Sequence, residues 1–504
     1  MTAQAAGSGA GLFAPARRLI AVHGLLGLPL AVIGYPLAIW IPAHYAGGLG
    51  LSLAAVGTIL MLARFTDVIT DPIMGEISDR FRTRLGRRKP WILLGVPVMM
   101  LGAWFLFVPP EGVGVLYFLL WLTVFFVGVT MIALPYRAWG AELSTDYHTR
   151  SLITASREFF VIAGLIVAAA VPMVVEITAD GGTGIGEVAA ALWRDAIGAF
   201  TGAIADKVPT SRAALTGPVL TGLAIAVLVS LPLTALIVTA LVPEPPAAMR
   251  ERVPLREGMR IMWRNGPMRR VIIITFLVIM GESSRNAVSL FFIRDIIGVP
   301  TIGAAYFLYF VAGIAAIPFW LHLGRRFGKH IAFMVTLVFV SFVSISNLFL
   351  GQGDYFVFFC LFLLKGFAFG GLQFLPLAML ADVVDIDTAR SRGGRRAGTY
   401  FAVLGLSEKL AVAIGTGLAL NIVGFLGFNA VEGVAGSSEL GVRSLYTVYC
   451  LGPVLFYGLA LPLIWGYPLT PERHQRLRSA LDMRARRLAA GPVARQLIDP
   501  PPQP

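Results

Sequence analysis

Apolar runs long enough to cross the ~30 Å hydrocarbon core of a bilayer recur along this chain, each separated from the next by a short polar connection. They fall near Leu19 to His44, Leu51 to Ser78, Trp91 to Val108, Val113 to Leu143, Leu152 to Ile177, Leu215 to Leu241, Val271 to Phe292, Ile302 to Leu323, Ile331 to Leu350, Tyr355 to Val384, Tyr400 to Phe428 and Leu445 to Ile464. The pattern predicts an all-α membrane protein of twelve transmembrane helices. An even number of crossings puts both ends of the chain on one side.

Charge decides which side. Connections on the side of the ends carry Arg80, Arg82, Arg84, Arg87, Arg88 and Lys89, then Arg150, Arg250 through Arg270, Arg325, Arg326, Lys329, and Arg390 through Arg396. The opposite connections carry only Arg194, Lys207, Arg212 and Arg443. Basic residues stay on the cytoplasmic face, so both termini are expected in the cytoplasm of a bacterial-type inner membrane. Residues 1–16 are rich in Ala and Gly and precede Arg17-Arg18; with no small-residue cleavage site after a short apolar core, no removed signal peptide is expected.

Composition agrees with this setting. Of the 504 residues 57% are hydrophobic and only 14% charged, against roughly 25% charged in soluble domains, and the mean hydropathy is +0.77. The net charge of +13 does not point to nucleic acid, because the basic residues sit in short loops between apolar runs. Cys360 and Cys450 lie within apolar runs and have neither metal-ligand spacing nor a disulfide pattern.

The chain divides in the middle. Residues 1–242 form an N-terminal six-helix half, 243–270 a cytoplasmic linker, 271–466 a C-terminal six-helix half and 467–504 a cytoplasmic tail. In the linker, Arg250, Arg252, Arg256, Arg260 and Arg264 alternate with Leu255, Met259, Ile261 and Met262, as in an amphipathic surface helix. The halves echo each other. Leu134-Pro135 leading to Ala141-Glu142 recurs as Leu375-Pro376 leading to Ala381-Asp382, and Gly86-Arg87-Arg88 recurs as Gly324-Arg325-Arg326 with Lys329. Parallel six-helix repeats characterise the major facilitator fold, whose substrate lies between the halves. The stretch Thr178 to Gly217, with Trp193 and Arg194, is the one long outside segment and suggests no function.

Within the second run, Arg64, Asp67 and Asp71 share one helix face at bilayer depth. Each ionisable group there costs roughly 2.5–3.5 kcal/mol on insertion scales, so its default reading is functional. Two carboxylates against one guanidinium leave a deficit that a bound cation would neutralise; a structural salt-bridge cluster is the alternative. His23 reads as a proton relay or as a hydrogen-bonded structural histidine, and Tyr35 and Trp40 as cavity or packing aromatics.

Several motifs together resemble the glycoside-pentoside-hexuronide:cation symporter family typified by melibiose permease. They are Asp67-x3-Asp71-Pro-x2-Gly75, Ser78-Asp79-Arg80, Arg84-x-Gly86-Arg87-Arg88-x-Pro90, Pro135-Tyr136-x-Ala138, Glu142-Leu143, Asp146-Tyr147, Arg150 and Arg157. The second half adds Met379-x-Ala381-Asp382-Val-Val-Asp385, Gly394-Arg395-Arg396-x-Gly398 and Lys409. The resemblance implies that Asp67, Thr70, Asp71 and Thr130 hold a coupling cation, Na⁺ or H⁺; with Na⁺, Asp67 and Asp71 are metal ligands. It implies gating roles for Asp79, Arg80, Arg84, Glu142, Arg150, Asp382 and Asp385, with Asp79, Arg80 and Arg84 as a cytoplasmic latch. Solvated helix ends and topology signals also explain these charges.

For the substrate, departures from the family matter more. The sugar-binding Asp of the first span is missing from His23-Gly-Leu-Leu-Gly27, and the Asp and stacking Trp of the fourth span are here Ala133 and Arg137. Trp139 lies two residues further on, on another face. Arg157 matches a sugar-contacting position and Lys409 the family's lysine near the sugar and cation sites. Arg137, Arg157 and Lys409, with Tyr136 and His23, are the candidate substrate residues, balanced in part by Glu158, Glu282 and Glu408. A cationic cavity favours an anionic ligand; local neutralisation of Arg157 by Glu158, or of Lys409 by Glu408, is the alternative. The expected function is cation-coupled symport of a glycoside, uronide or related small polar solute. Rivals are a lysolipid or amphipathic-solute carrier and a non-transporting membrane sensor. No enzyme motif is present, and no cofactor beyond the coupling cation is expected.

Overall fold

The structure, a computed structural model, describes residues 17–81, 83–144, 147–179, 212–244, 265–299, 302–390 and 397–467. The expected amphipathic helix of the linker, nearly all of the outside segment and the tail after residue 467 lie outside the described residues. Among the described residues twelve helices have the length and apolarity of membrane spans: α1 (Arg17–Gly48), α2 (Leu53–Arg80), α3 (Lys89–Phe107), α4 (Val115–Glu142), α5 (Tyr147–Ala179), α6 (Arg212–Leu241), α7 (Gly266–Ile297), α8 (Ile302–Phe327), α9 (Lys329–Phe349), α10 (Tyr355–Arg390), α11 (Ala397–Phe425) and α12 (Glu439–Trp465). The protein is thus an all-α integral membrane protein.

Helix starts follow local chemistry. The Ser52 hydroxyl accepts from the Ala55 amide at 3.2 Å and so caps α2. The Asn265 side chain does the same for α7 and Ser438 for α12, which therefore begins six residues before the apolar run does. The first run is less regular than its hydropathy suggests. Its helix breaks between Gly24 and Gly27, where α5 comes so near that a Cβ on Gly27 would sit 3.0 Å from the Arg157 carbonyl oxygen, and it ends in a π-turn over His44–Gly48. The helix one repeat later, α7, also ends in a π-turn, over Phe292–Ile297.

Packing repeats with a shift of six. In the first half α3 packs on α4, α1 on α5, α2 on α4, α1 on α6 and α3 on α6; in the second, α9 packs on α10, α7 on α11, α8 on α10, α7 on α12 and α9 on α12. Between the halves, α2 packs on α11, α5 on α8 and α1 on α7. Shifting α2·α11 by six converts it into α8·α5, so the interface obeys the same pseudo-twofold that relates the halves. Small residues bring these backbones together; at Gly102 a Cβ would lie 2.6 Å from the Phe125 Cα, so the α3–α4 contact admits only glycine there.

Candidate functional site

Asp67 and Asp71, one turn apart on α2, face α4 and α11. Asp67 is buried, accepts from Arg64 Nη1 at 3.5 Å and lies 3.2 Å from Lys409 Nζ. The Arg64 guanidinium rests 4.0 Å from the centre of the Phe126 ring, which supports it in an apolar wall. Asp71 accepts from Thr130 Oγ1 on α4 at 3.0 Å and from Lys409 Nζ at 2.9 and 2.7 Å. Two carboxylates therefore meet two cations, and the charge deficit expected from Arg64 alone is filled by Lys409. The sequence reading had placed that lysine with the substrate residues. Asp67 Oδ1 and Thr70 Oγ1 are buried and have no hydrogen-bond partner among the described residues. The structure thus brings Thr130 to Asp71 one turn from Asp67, and leaves the Asp67 and Thr70 oxygens unpartnered among the described residues. No group of three or more His, Cys, Asp or Glu side chains that could hold a metal ion occurs among the described residues.

Arg137, exposed on α4, lies within electrostatic reach of Arg157, Glu158, Glu408 and Asp71 and makes no ion pair or hydrogen bond among the described residues. Arg157 is bound by its neighbour Glu158 through Nε at 3.2 Å and Nη2 at 2.7 Å. Adjacent helix residues were not expected to face each other, but a long guanidinium curls back far enough. Lys409 is not neutralised by Glu408; it reaches across the interface to α2. Glu282 is engaged elsewhere, by Arg285 on α7 and Tyr457 on α12.

His23 and Tyr136, expected at the substrate, are packed between α1 and α4. Their rings stack at 4.7 Å, the Tyr136 hydroxyl donates to the His23 carbonyl at 2.9 Å, and both side chains are about 1% exposed. Both are occupied by helix packing in the structure. Trp40 is buried, and the Tyr35 side chain lies outside the described residues.

The basic loop after α2 is ordered around Arg88, which the sequence did not single out from its neighbours. Arg88 pairs with Asp79, donates to Glu142 at 2.8 Å and to Ser78 Oγ at 2.9 Å, and is only 5% exposed. Arg87 adds a second bond to Glu142 at 2.8 Å, and Glu244 accepts the backbone amides of Arg87 and Arg88 at 2.8 and 2.9 Å. The expected latch residues part company: Asp79 joins Arg88, Arg80 pairs with Glu76 on its own helix, and Arg84 is exposed. One repeat later, Lys329 donates to Asp382 at 2.6 Å and to the Ala378 carbonyl at 3.1 Å. Among the described residues these contacts tie loops to helices inside each half. The Arg150 and Asp385 side chains lie outside the described residues.

The halves are joined toward the opposite end. The Glu176 carboxylate, at the end of α5, accepts from the backbone amides of Ile302 at 3.2 Å and Gly303 at 2.8 Å, capping α8 across the interface. Thr58 donates to Asn421 at 3.1 Å between α2 and α11. Glu176 escaped the sequence reading because it ends an apolar run and its partners are main-chain groups that any sequence supplies.

Comparison with known proteins is consistent with this arrangement. A mouse protein named sodium-dependent lysophosphatidylcholine symporter 1 is 24% identical over 90% of this chain and 86% of its own. The glucuronide carrier protein homolog of Escherichia coli K12 is 22% identical over 92% and 93%. The crystal structure of a bacterial homolog of the human lysosomal transporter Spinster superposes with a TM-score of 0.57 at 16% identity, covering 92% of this chain and all of that one, which shows a shared fold. The family described as MFS/sugar transport protein matches residues 22–471. The chain belongs to that family and is a membrane transporter of the major facilitator superfamily, not an enzyme.

Proposed function

We propose that the protein is a secondary active symporter that couples a monovalent cation, Na⁺ or H⁺, held by Asp67 and Asp71, to inward movement of an acidic glycoside, uronide or related small polar solute. The observation that carries this reading is the tie between Lys409 in one half and the acid pair in the other. The ammonium and a coupling cation compete for the same carboxylates. Binding of the cation releases Lys409 and with it a cross-half contact, so ion occupancy and the relation of the halves become one equilibrium. The unpaired Arg137 guanidinium supports an anionic group on the solute, because it offers a planar fork that neutral sugars cannot match.

With the basic-loop end taken as cytoplasmic, the Glu176 contact joins the halves on the outer side. Cysteines at Thr83 and Arg256 are then labelled from the cytoplasm and one at Thr183 from outside; a Thr183 cysteine reachable only from inside overturns the orientation.

A lysolipid or other amphipathic solute is the second reading, supported by the mouse relative's name and full-length similarity. Uptake into proteoliposomes under a Na⁺ or a pH gradient separates the two. Glucuronate or a phenyl glucuronide is expected to accumulate in preference to a neutral galactoside; accumulation of lysophospholipid alone transfers the function to the second reading, and no gradient-driven uptake of any of them removes the symport reading.

A further inference from the structure

A second polar cluster lies inside the C-terminal half, away from the acid pair. Arg285 on α7, Lys365 on α10 and Tyr449 on α12 are each at most 2% exposed. Lys365 Nζ sits 4.3 Å from the centre of the Tyr449 ring, and Arg285 Nη2 donates to Tyr309 on α8 at 3.3 Å. Among the described residues Glu282 is the acid that faces this pair, and each of its oxygens accepts a bond: Oε2 from Arg285 at 2.8 Å and Oε1 from the Tyr457 hydroxyl. Three donors stay unpartnered: Lys365 Nζ, Arg285 Nη1 and the Tyr449 hydroxyl.

Two basic side chains against one carboxylate, each of whose oxygens already accepts a bond, leave basic groups in excess in a water-excluded place. Buried charges of this kind are held by a counter-charge or not held at all. The face of Tyr449 supplies partial compensation only. We infer that Arg285, Lys365 and Tyr449 form an anion-binding site for a carboxylate or phosphate group. The donor types match that class: a guanidinium nitrogen, a point-charge ammonium and a hydroxyl, supplied by three different helices, are the groups that bind oxyanions. At the seam between the halves, Tyr306, hydrogen-bonded to Ser289 of α7 at 2.7 Å, borders an apolar gap with Trp40 and Pro172. Where the anion is the acidic group of the transported solute, the inference rests on the transporter reading above; where it is a free anion, it stands alone.

The test is thermal unfolding of the full-length detergent-purified protein in a chloride- and phosphate-free buffer, titrated with inorganic phosphate, chloride, glucuronate and, as control, glucose. The wild type is expected to show a saturable stabilising shift with at least one anion and none with glucose. Lys365→Met should remove the response, and Tyr449→Phe, which deletes a hydroxyl without disturbing Glu282, should weaken apparent affinity several-fold. Competition between glucuronate and phosphate assigns the site to the solute's acidic group; phosphate or chloride binding that glucuronate leaves untouched assigns it to a free anion. Absence of a saturable shift in the wild type, or wild-type affinity in Lys365→Met, overturns the site; should that variant not fold, wild-type affinity in Tyr449→Phe does so. A response lost in Arg137→Gln but kept in Lys365→Met overturns this site while leaving the acidic-solute function in place.

Discussion

Lys409 donates hydrogen bonds to both carboxylate oxygens of Asp71, at 2.9 and 2.7 Å, across 338 residues of sequence and the interface between the halves. Charge-assisted bonds of this type contribute about 1.5–3 kcal/mol each, enough to compete with a weakly held monovalent ion.

In the proposed mechanism, coupling depends on this exchange. Asp71→Asn and Asp67→Asn should each abolish gradient-driven accumulation while energy-independent counterflow survives in part. Lys409→Gln removes the competitor, and a gain of about 1.4 kcal/mol would tighten apparent cation affinity tenfold as turnover falls. Cation-stimulated accumulation that is unchanged in both Asp variants would reduce the cluster to a structural salt bridge.

Arg88 should matter to stability far more than its neighbours in the same loop. Truncating one member of a buried ion pair costs about 3–5 kcal/mol, so Arg88→Ala should lower the unfolding temperature by many degrees, whereas exposed Arg84→Ala should stay within about 0.5 kcal/mol. Equal effects of the two would contradict the clamp. Expression level and detergent thermal melts are the readouts.

Glu176→Gln keeps the size of the cap but loses its charge. Replacing charged by neutral acceptors on the Ile302 and Gly303 amides should weaken the seal by about 1–2 kcal/mol, shifting the balance of conformations roughly tenfold. Spin labels placed at the two ends of the bundle would register a larger population open at the Glu176 end. A distance distribution identical to wild type would mean that helix packing alone holds the seal.

For the solute, Arg137→Gln is expected to cost more of the preference for acidic over neutral sugars than Arg157→Gln. The resemblance alone would order them the other way, but Glu158 already occupies Arg157. Uptake competition between glucuronate and a neutral galactoside decides the order. A greater loss in the Arg157 variant would show that Glu158 yields to the solute.

Fold and site were legible to different degrees for physical reasons. The twelve crossings announce themselves because hydrocarbon demands apolarity over a fixed length, and Asp67 and Asp71 stand out against that background. Their partner Lys409 could be connected to them only through a family resemblance, since periodicity does not report contacts between distant helices. Arg88 was hidden among five similar basic residues, all equally good as topology signals; burial alone distinguishes it. Arg285 and Lys365 lie 80 residues apart in separate apolar runs, and nothing local reveals that α7 and α10 bring them together.

The pseudo-twofold in the packing bears on how tightly the cation gradient is conserved. Because α2·α11 and α5·α8 exchange under the repeat operation, a rigid rotation that parts one seam parts its mate as well. Half-sealed intermediates, with water threading one seam while the solute chamber faces the other compartment, are then disfavoured twice over. In the proposed symporter, leakage of cations through a half-open state is then opposed by the paired seams in addition to the Lys409 exchange.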